Sequence, residues 1–212
     1  YNMVDRIYIG RLPDGGLSIA GIGLCTSIIT IITAFSNLFG RGGAPLASIK
    51  LGEKNPKEAE RILGNAFSSL VLTSIIIMIC LLLWGDRILI LFGASQKTLP
   101  YALSYLRIYS VGTIFIQLTV GLNYFINTQG YAKFGMMTLL IGGILNIILD
   151  PIFIYALHMN VAGAALATII SQFISCIWVL SFLFGKKTTI KIKKENLLFD
   201  FNIMKKILGL GF

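Results

Sequence analysis

Asp150 stands in the run GGILNIILDPIFIYAL, from Gly142 to Leu157, with Asn146 four residues before it and Pro151 directly behind it. A carboxylate at the centre of an apolar membrane helix costs about 2.5–3.5 kcal/mol on insertion scales, so such groups face an interior cavity and mark a function. Residues four apart on a helix share a face, about 6 Å from one another, which pairs the amide with the carboxyl. Pro151 lacks an N–H and crowds the carbonyl of Ile147. Membrane helices tolerate that loss only where the freed groups are satisfied again. A kinked, acidic, amide-bearing face of this kind could hold a proton or a small hard cation.

Two more polar residues fall at the same depth. Asp150 lies seven residues before Leu157 and Thr168 lies seven after Val161, the expected outer ends of two consecutive helices. At 1.5 Å per residue, each is about 10 Å below the outer surface. Asp5 stands a similar distance inside Arg11. Two carboxyls, an amide and a hydroxyl thus share one layer of the outer half of a bilayer. The plainer reading is that Asn146, Asp150 and Thr168 only bridge helices, since Gly163, Ala167 and Ser171 form a small-residue stripe suited to close packing. That reading leaves the Asn–Asp–Pro arrangement unexplained. An intramembrane aspartyl protease with Asp5 and Asp150 as its dyad would need YD and GxGD contexts, and the acids stand in VDR and LDP instead.

The elements that must position these groups are helices. Of the 212 residues, 13% are charged and 56% hydrophobic, and the mean hydropathy is +0.82. Soluble domains average about 25% charged. No Asp, Glu, Lys or Arg occurs in residues 15–40, 62–85, 108–132, 134–149 or 152–185. A bilayer core of about 30 Å needs roughly 20 apolar residues as a helix, and these blocks have that length. Spanning strands would alternate apolar and polar residues, which Leu70 to Trp84 do not. The composition therefore gives an all-α integral membrane protein.

The net charge of +9 follows the positive-inside rule rather than nucleic-acid binding. With one crossing per block, thirteen basic residues fall after Phe39, after Asn127 and after Phe184, and five on the opposite side. The thirteen mark the cytoplasmic face. Cys25, Cys80 and Cys176 lie inside apolar blocks without CxxC spacing and behave as small hydrophobes. With a single histidine they make no zinc site, and nothing points to an enzyme or a resident cofactor.

Along the chain, YNMVDRIYIGRL reads as the outer end of a helix whose beginning is missing, with no signal peptide. Further helices are expected over about 17–39, 62–84, 103–126, 134–157 and 161–184, with a turn near His158–Asn160. GRGGAPLASIKLGEKNPKEAER reads as a cytoplasmic loop. Residues 186–200 read as a basic cytoplasmic linker, partly amphipathic along the membrane surface, and residues 201–212 as the start of a further membrane helix.

RGGAPLASIKLGEKNPKEAERILGNAF, LFGAS, YALSYLRIYSVG and above all GGILNIILDPIFIYALHMNVAGAALATIISQ resemble the multidrug and toxic compound extrusion (MATE) transporters, on their DinF/MepA-like side. YNMVD resembles the first helix of that family. The resemblance covers essentially the whole chain. It implies twelve helices in two lobes of six, with residues 1–185 as an N-terminal lobe whose first helix is partial. It also implies alternating access in the cell membrane, exchanging H⁺ or Na⁺ for drugs or organic cations, with a C-terminal lobe as partner. The cation site it implies is Asp5, Asn146, Asp150 and Thr168, with Pro151 as the conformational kink and Tyr1 and Asn123 lining the cavity. A lipid-linked oligosaccharide flippase of the same superfamily is the alternative. Carriers of anionic head groups would be expected to show several intramembrane Arg or Lys, and here only Arg6 and Arg107 approach the bilayer, near its outer edge.

Overall fold

The computed structural model describes residues 2–185 and 187–211, and every regular element among them is helical. In chain order these are α1 (Asn2–Ile9), α2 (Gly15–Gly52), α3 (Pro56–Leu91), α4 (Leu99–Val111), α5 (Thr113–Thr128), α6 (Ala132–Pro151), α7 (Asn160–Phe184) and α8 (Phe201–Gly211). A π-helical turn, Ile152–Ala156, prolongs α6, and a 3₁₀ turn, Lys194–Asn196, precedes α8. Four described helices are long and apolar enough to cross a bilayer: α2, α3, α6 with its π turn, and α7; α4 and α5 together make a fifth, bent by 58°.

The helices are inside out relative to those of a soluble protein. On α6 the buried residues are Gly135, Thr138, Gly142, Asn146 and Asp150, recurring every three or four positions. Met136, Leu139, Leu140, Ile144, Ile147 and Ile148 are exposed on the same helix. Lipid solvates the large apolar side chains, and small or polar residues close the helix interfaces. α7 repeats the pattern, burying Gly163, Ala164, Ala167, Thr168, Ser171 and Ser175.

Two expectations are corrected. The Gly-rich segment after Phe39 is not a loop: α2 runs 38 residues through GRGGAP, with Pro45 inside it. Here the glycines serve packing rather than chain reversal, and a Cβ on Gly42 would collide with the carbonyl of Ile207 in α8. The reversal is confined to the residues before α3, where Lys54 takes a left-handed φ of 57° and Asn55 caps the helix by accepting the Glu58 N–H at 3.2 Å. Second, the helix expected over 103–126 is two helices. It breaks at Gly112, where a Cβ would run into the side chain of Ile169.

The segment 187–200 also packs on the helices. Ile190 and Ile192 are buried in one core cluster with Leu63, Leu122, Phe125 and Leu183, and Ile203 and Ile207 of α8 join the same cluster. The Gln129 side-chain oxygen accepts from the Thr188 hydroxyl and from the N–H groups of Thr189 and Ile190. Glu60 pairs with Lys193 and accepts the N–H of Lys191. A second core cluster, with Ile22, Leu89, Tyr105, Ile154 and Ala164, fills the other half of the bundle.

Candidate functional site

Asp5, Asn146, Asp150 and Thr168 come from three helices and meet in one buried cluster, with exposures of 0%, 1%, 0% and 3%. The helical spacing on α6 sets the first contact: Asn146 Nδ2 donates to Asp150 Oδ1 at 3.1 Å. The same amide reaches Thr168 Oγ1 on α7 at 3.4 Å. Thr168 Oγ1 in turn donates to Asp5 Oδ2 on α1 at 3.3 Å. Arg6, beside Asp5 in the chain, turns away and donates to Thr26 on α2 at 2.8 Å. The Asp5 carboxyl therefore faces Asp150 without its neighbour's cation.

Asp5 Oδ1, Asn146 Oδ1 and Asp150 Oδ2 are buried and take no hydrogen bond from the protein. Two uncompensated carboxylates buried together are costly. Acceptor oxygens collected in this way suit a proton or a small hard cation.

Pro151 closes α6 immediately after Asp150. The π turn that follows is closed by Leu157 N–H donating to Ile152 O at 2.9 Å. Tyr155, on this turn, donates its hydroxyl to the carbonyl of Tyr8 on α1. The reversal into α7 follows at His158 and Asn160, both with left-handed φ (52° and 51°).

A cavity of about 390 Å³ adjoins the cluster, its walls including Thr33, Tyr109, Asn123, Asn127, Thr138, Thr168 and Gln172. Asn123 is on that wall, donating to the carbonyl of Gly135 at 3.2 Å. Tyr1 lies outside the described residues. Thr168 belongs to both the cluster and the cavity wall.

Sequence reasoning missed Tyr105, which is fully buried and donates to Asp5 Oδ2 at 3.4 Å. Its signal was present: Tyr101, Tyr105 and Tyr109 recur every fourth residue, which places them on one helical face. It also missed Gln172 and Thr33 of the cavity wall.

The family model described as MatE matches residues 1–152. The multidrug export protein MepA of Staphylococcus haemolyticus (strain JCSC1435) is 34% identical over 197 residues, covering 92% of this chain and 43% of that protein. A crystal structure of MATE in the bent conformation matches with a TM-score of 0.93 at 28% identity, over 100% of this chain and 47% of that one. An inward-facing multidrug resistance MATE family transporter of the MOP superfamily matches with a TM-score of 0.93 at 27% identity, over 100% and 48%. The chain spans about half the length of the relatives it matches.

Proposed function

Since the chain belongs to the MatE family, we propose that it supplies the N-terminal half of an antiporter that exports drugs or organic cations across the cell membrane by alternating access, driven by inward movement of H⁺ or Na⁺. The observation that carries this reading is the meeting of the two sites at Thr168, which donates to Asp5 in the cluster and walls the cavity. An ion entering the cluster from outside offsets one of the two buried carboxylate charges and rearranges the helices that bound the cavity. Pro151 and its π turn are the place where α6 can bend. Each charge moved inward gains about 2.3 kcal/mol per 100 mV of membrane potential, which is enough to drive export. The second half of the intact transporter would complete the cleft.

The cavity does not favour the flippase alternative. Its described lining residues include no Lys or Arg, whereas anionic head groups call for cations.

The test is accumulation of a fluorescent organic cation in cells expressing the intact transporter, wild type beside Asp150→Asn, with proton and sodium gradients collapsed separately. The expected result is that wild type excludes the dye, the variant at equal membrane abundance does not, and one gradient is required. Equal accumulation in both would overturn the drug-export reading for that cargo.

A further inference from the structure

Two structural routes join the carboxyl cluster to the cavity. Thr168 is one, and α4 provides the other. Tyr105 and Tyr109 lie one turn apart on α4, and their rings stack with centroids 5.6 Å apart at 19°. Tyr105 gives its hydroxyl to Asp5, while Tyr109, 4% exposed, lines the cavity. Three residues past Tyr109 the helix stops at Gly112, held against Ile169, the neighbour of Thr168. The end of α4 is thus fixed against α7, with Tyr109 standing between the cavity and Tyr105.

We propose that Tyr109 is a positioning residue for ion coupling, through which an occupant of the cavity acts on the Tyr105 hydroxyl at Asp5. This rests on reading the cluster as the coupling-ion site. When the ion leaves, the two carboxyls must be stabilised by donors instead. The neutral donors facing the cluster are Asn146 on α6, Thr168 on α7 and Tyr105 on α4, with Asp150 as the opposing acid and Arg6 turned to Thr26. Of these, Tyr105 is the donor whose ring is set by a side chain of the cavity wall. An occupant pressing on Tyr109 holds the stack, keeps the hydroxyl on Asp5 and favours the ion-free cluster. An ion in the cluster displaces that hydroxyl and lets the stack shift into the cavity. Ion and occupant then oppose each other, which is the sign antiport requires, and linkage makes the effect reciprocal.

The experiment measures ethidium binding to the purified intact transporter by fluorescence anisotropy, with and without the coupling ion (two pH values for H⁺, added salt for Na⁺). The readout is the ratio of the two dissociation constants, so a change in affinity alone does not enter. Wild type is expected to show a ratio of about tenfold, and Tyr109→Leu one within about twofold of unity. Tyr109→Phe keeps the ring and should keep the ratio, whereas Tyr105→Phe keeps the stack and should lose it. A Tyr109→Leu protein that retains the wild-type ratio overturns the proposal, as does loss of the ratio in Tyr109→Phe. If Tyr109→Leu binds no ethidium, Tyr105→Phe decides, and a retained ratio there overturns it. Ion-independent binding in wild type would sink the antiporter reading itself, a separate outcome.

Discussion

Thr168 and Asp5 are 163 positions apart in the chain and joined by one hydrogen bond, from the threonine hydroxyl to the carboxylate at 3.3 Å. The same hydroxyl accepts the Asn146 amide. One side-chain oxygen therefore ties α1, α6 and α7 together where the cavity begins.

That placement predicts different outcomes for two small substitutions. Thr168→Val keeps the shape but removes both hydrogen bonds, leaving Asn146 with Asp150 alone and Asp5 Oδ2 with Tyr105 alone, at a cost of about 1–3 kcal/mol. Thr168→Ser keeps the hydroxyl. The expectation is that Val loses ion-dependent dye exclusion and lowers the melting temperature, while Ser retains most of both. Dye accumulation at matched abundance, with a thermal melt of purified protein, checks this. A Val variant as active as wild type would remove Thr168 from the site.

Gly112 is required by space. Its φ of −80° suits any residue, but a Cβ would meet the side chain of Ile169. Gly112→Ala should destabilise by about 1–3 kcal/mol through overpacking. Adding Ile169→Ala should recover part of that loss, with a coupling of about 0.5–3 kcal/mol between the positions. A double-mutant cycle on the thermal melt measures it. Strict additivity would mean that the close approach does not decide the break.

The cluster was legible because the bilayer makes polar residues rare. Asp150, Asn146 and Thr168 stood out against apolar runs; helical spacing paired the first two, and equal depth added Thr168. Tyr105 did not stand out, because a phenol at that depth reads as another apolar ring until its hydroxyl finds Asp5. Gly and Pro end helices in water, so GRGGAP read as a loop. In α2, Gly42 lets Ile207 approach and Gly43 lets Phe125 approach. The break at Gly112 was hidden because residues 108–132 carry no charge to mark it. Residues 186–200 read as a basic linker by their lysines, and that reading did not show that Ile190 and Ile192 pack into the protein core.

The anchoring of that segment is testable at Gln129. Its side-chain oxygen accepts three hydrogen bonds from Thr188, Thr189 and Ile190. Gln129→Leu leaves the N–H groups of Thr189 and Ile190 without this acceptor, while the Thr188 hydroxyl keeps the Ile190 carbonyl, and should make local opening easier by about 1.4 kcal/mol, a factor of ten in the open population. Limited trypsin digestion then cleaves at Lys191, Lys193 and Lys194 about tenfold faster. An unchanged cleavage rate would mean that Glu60 and the buried isoleucines hold the segment without Gln129.

Tyr155 is the last position at which the geometry forces an outcome. It stands five residues after Asp150, across the π turn, and its hydroxyl bonds to the carbonyl of Tyr8, three residues after Asp5. Its ring also meets that of Tyr8 edge-on, with centroids 6.1 Å apart. These contacts tie the helix that carries Asp5 to the turn that follows Asp150. Tyr155→Phe removes the hydroxyl and keeps the ring contact. It should lower stability by about 0.5–1.5 kcal/mol and weaken coupling-ion binding, because one carboxyl becomes free to move relative to the other. Ethidium affinity in the absence of ion should change much less, since Tyr155 is not among the cavity-lining residues. Ion titration of the intact transporter, beside ethidium binding without ion, separates the two effects. Equal weakening of both would make Tyr155 a general structural support rather than the clamp between the two acidic elements.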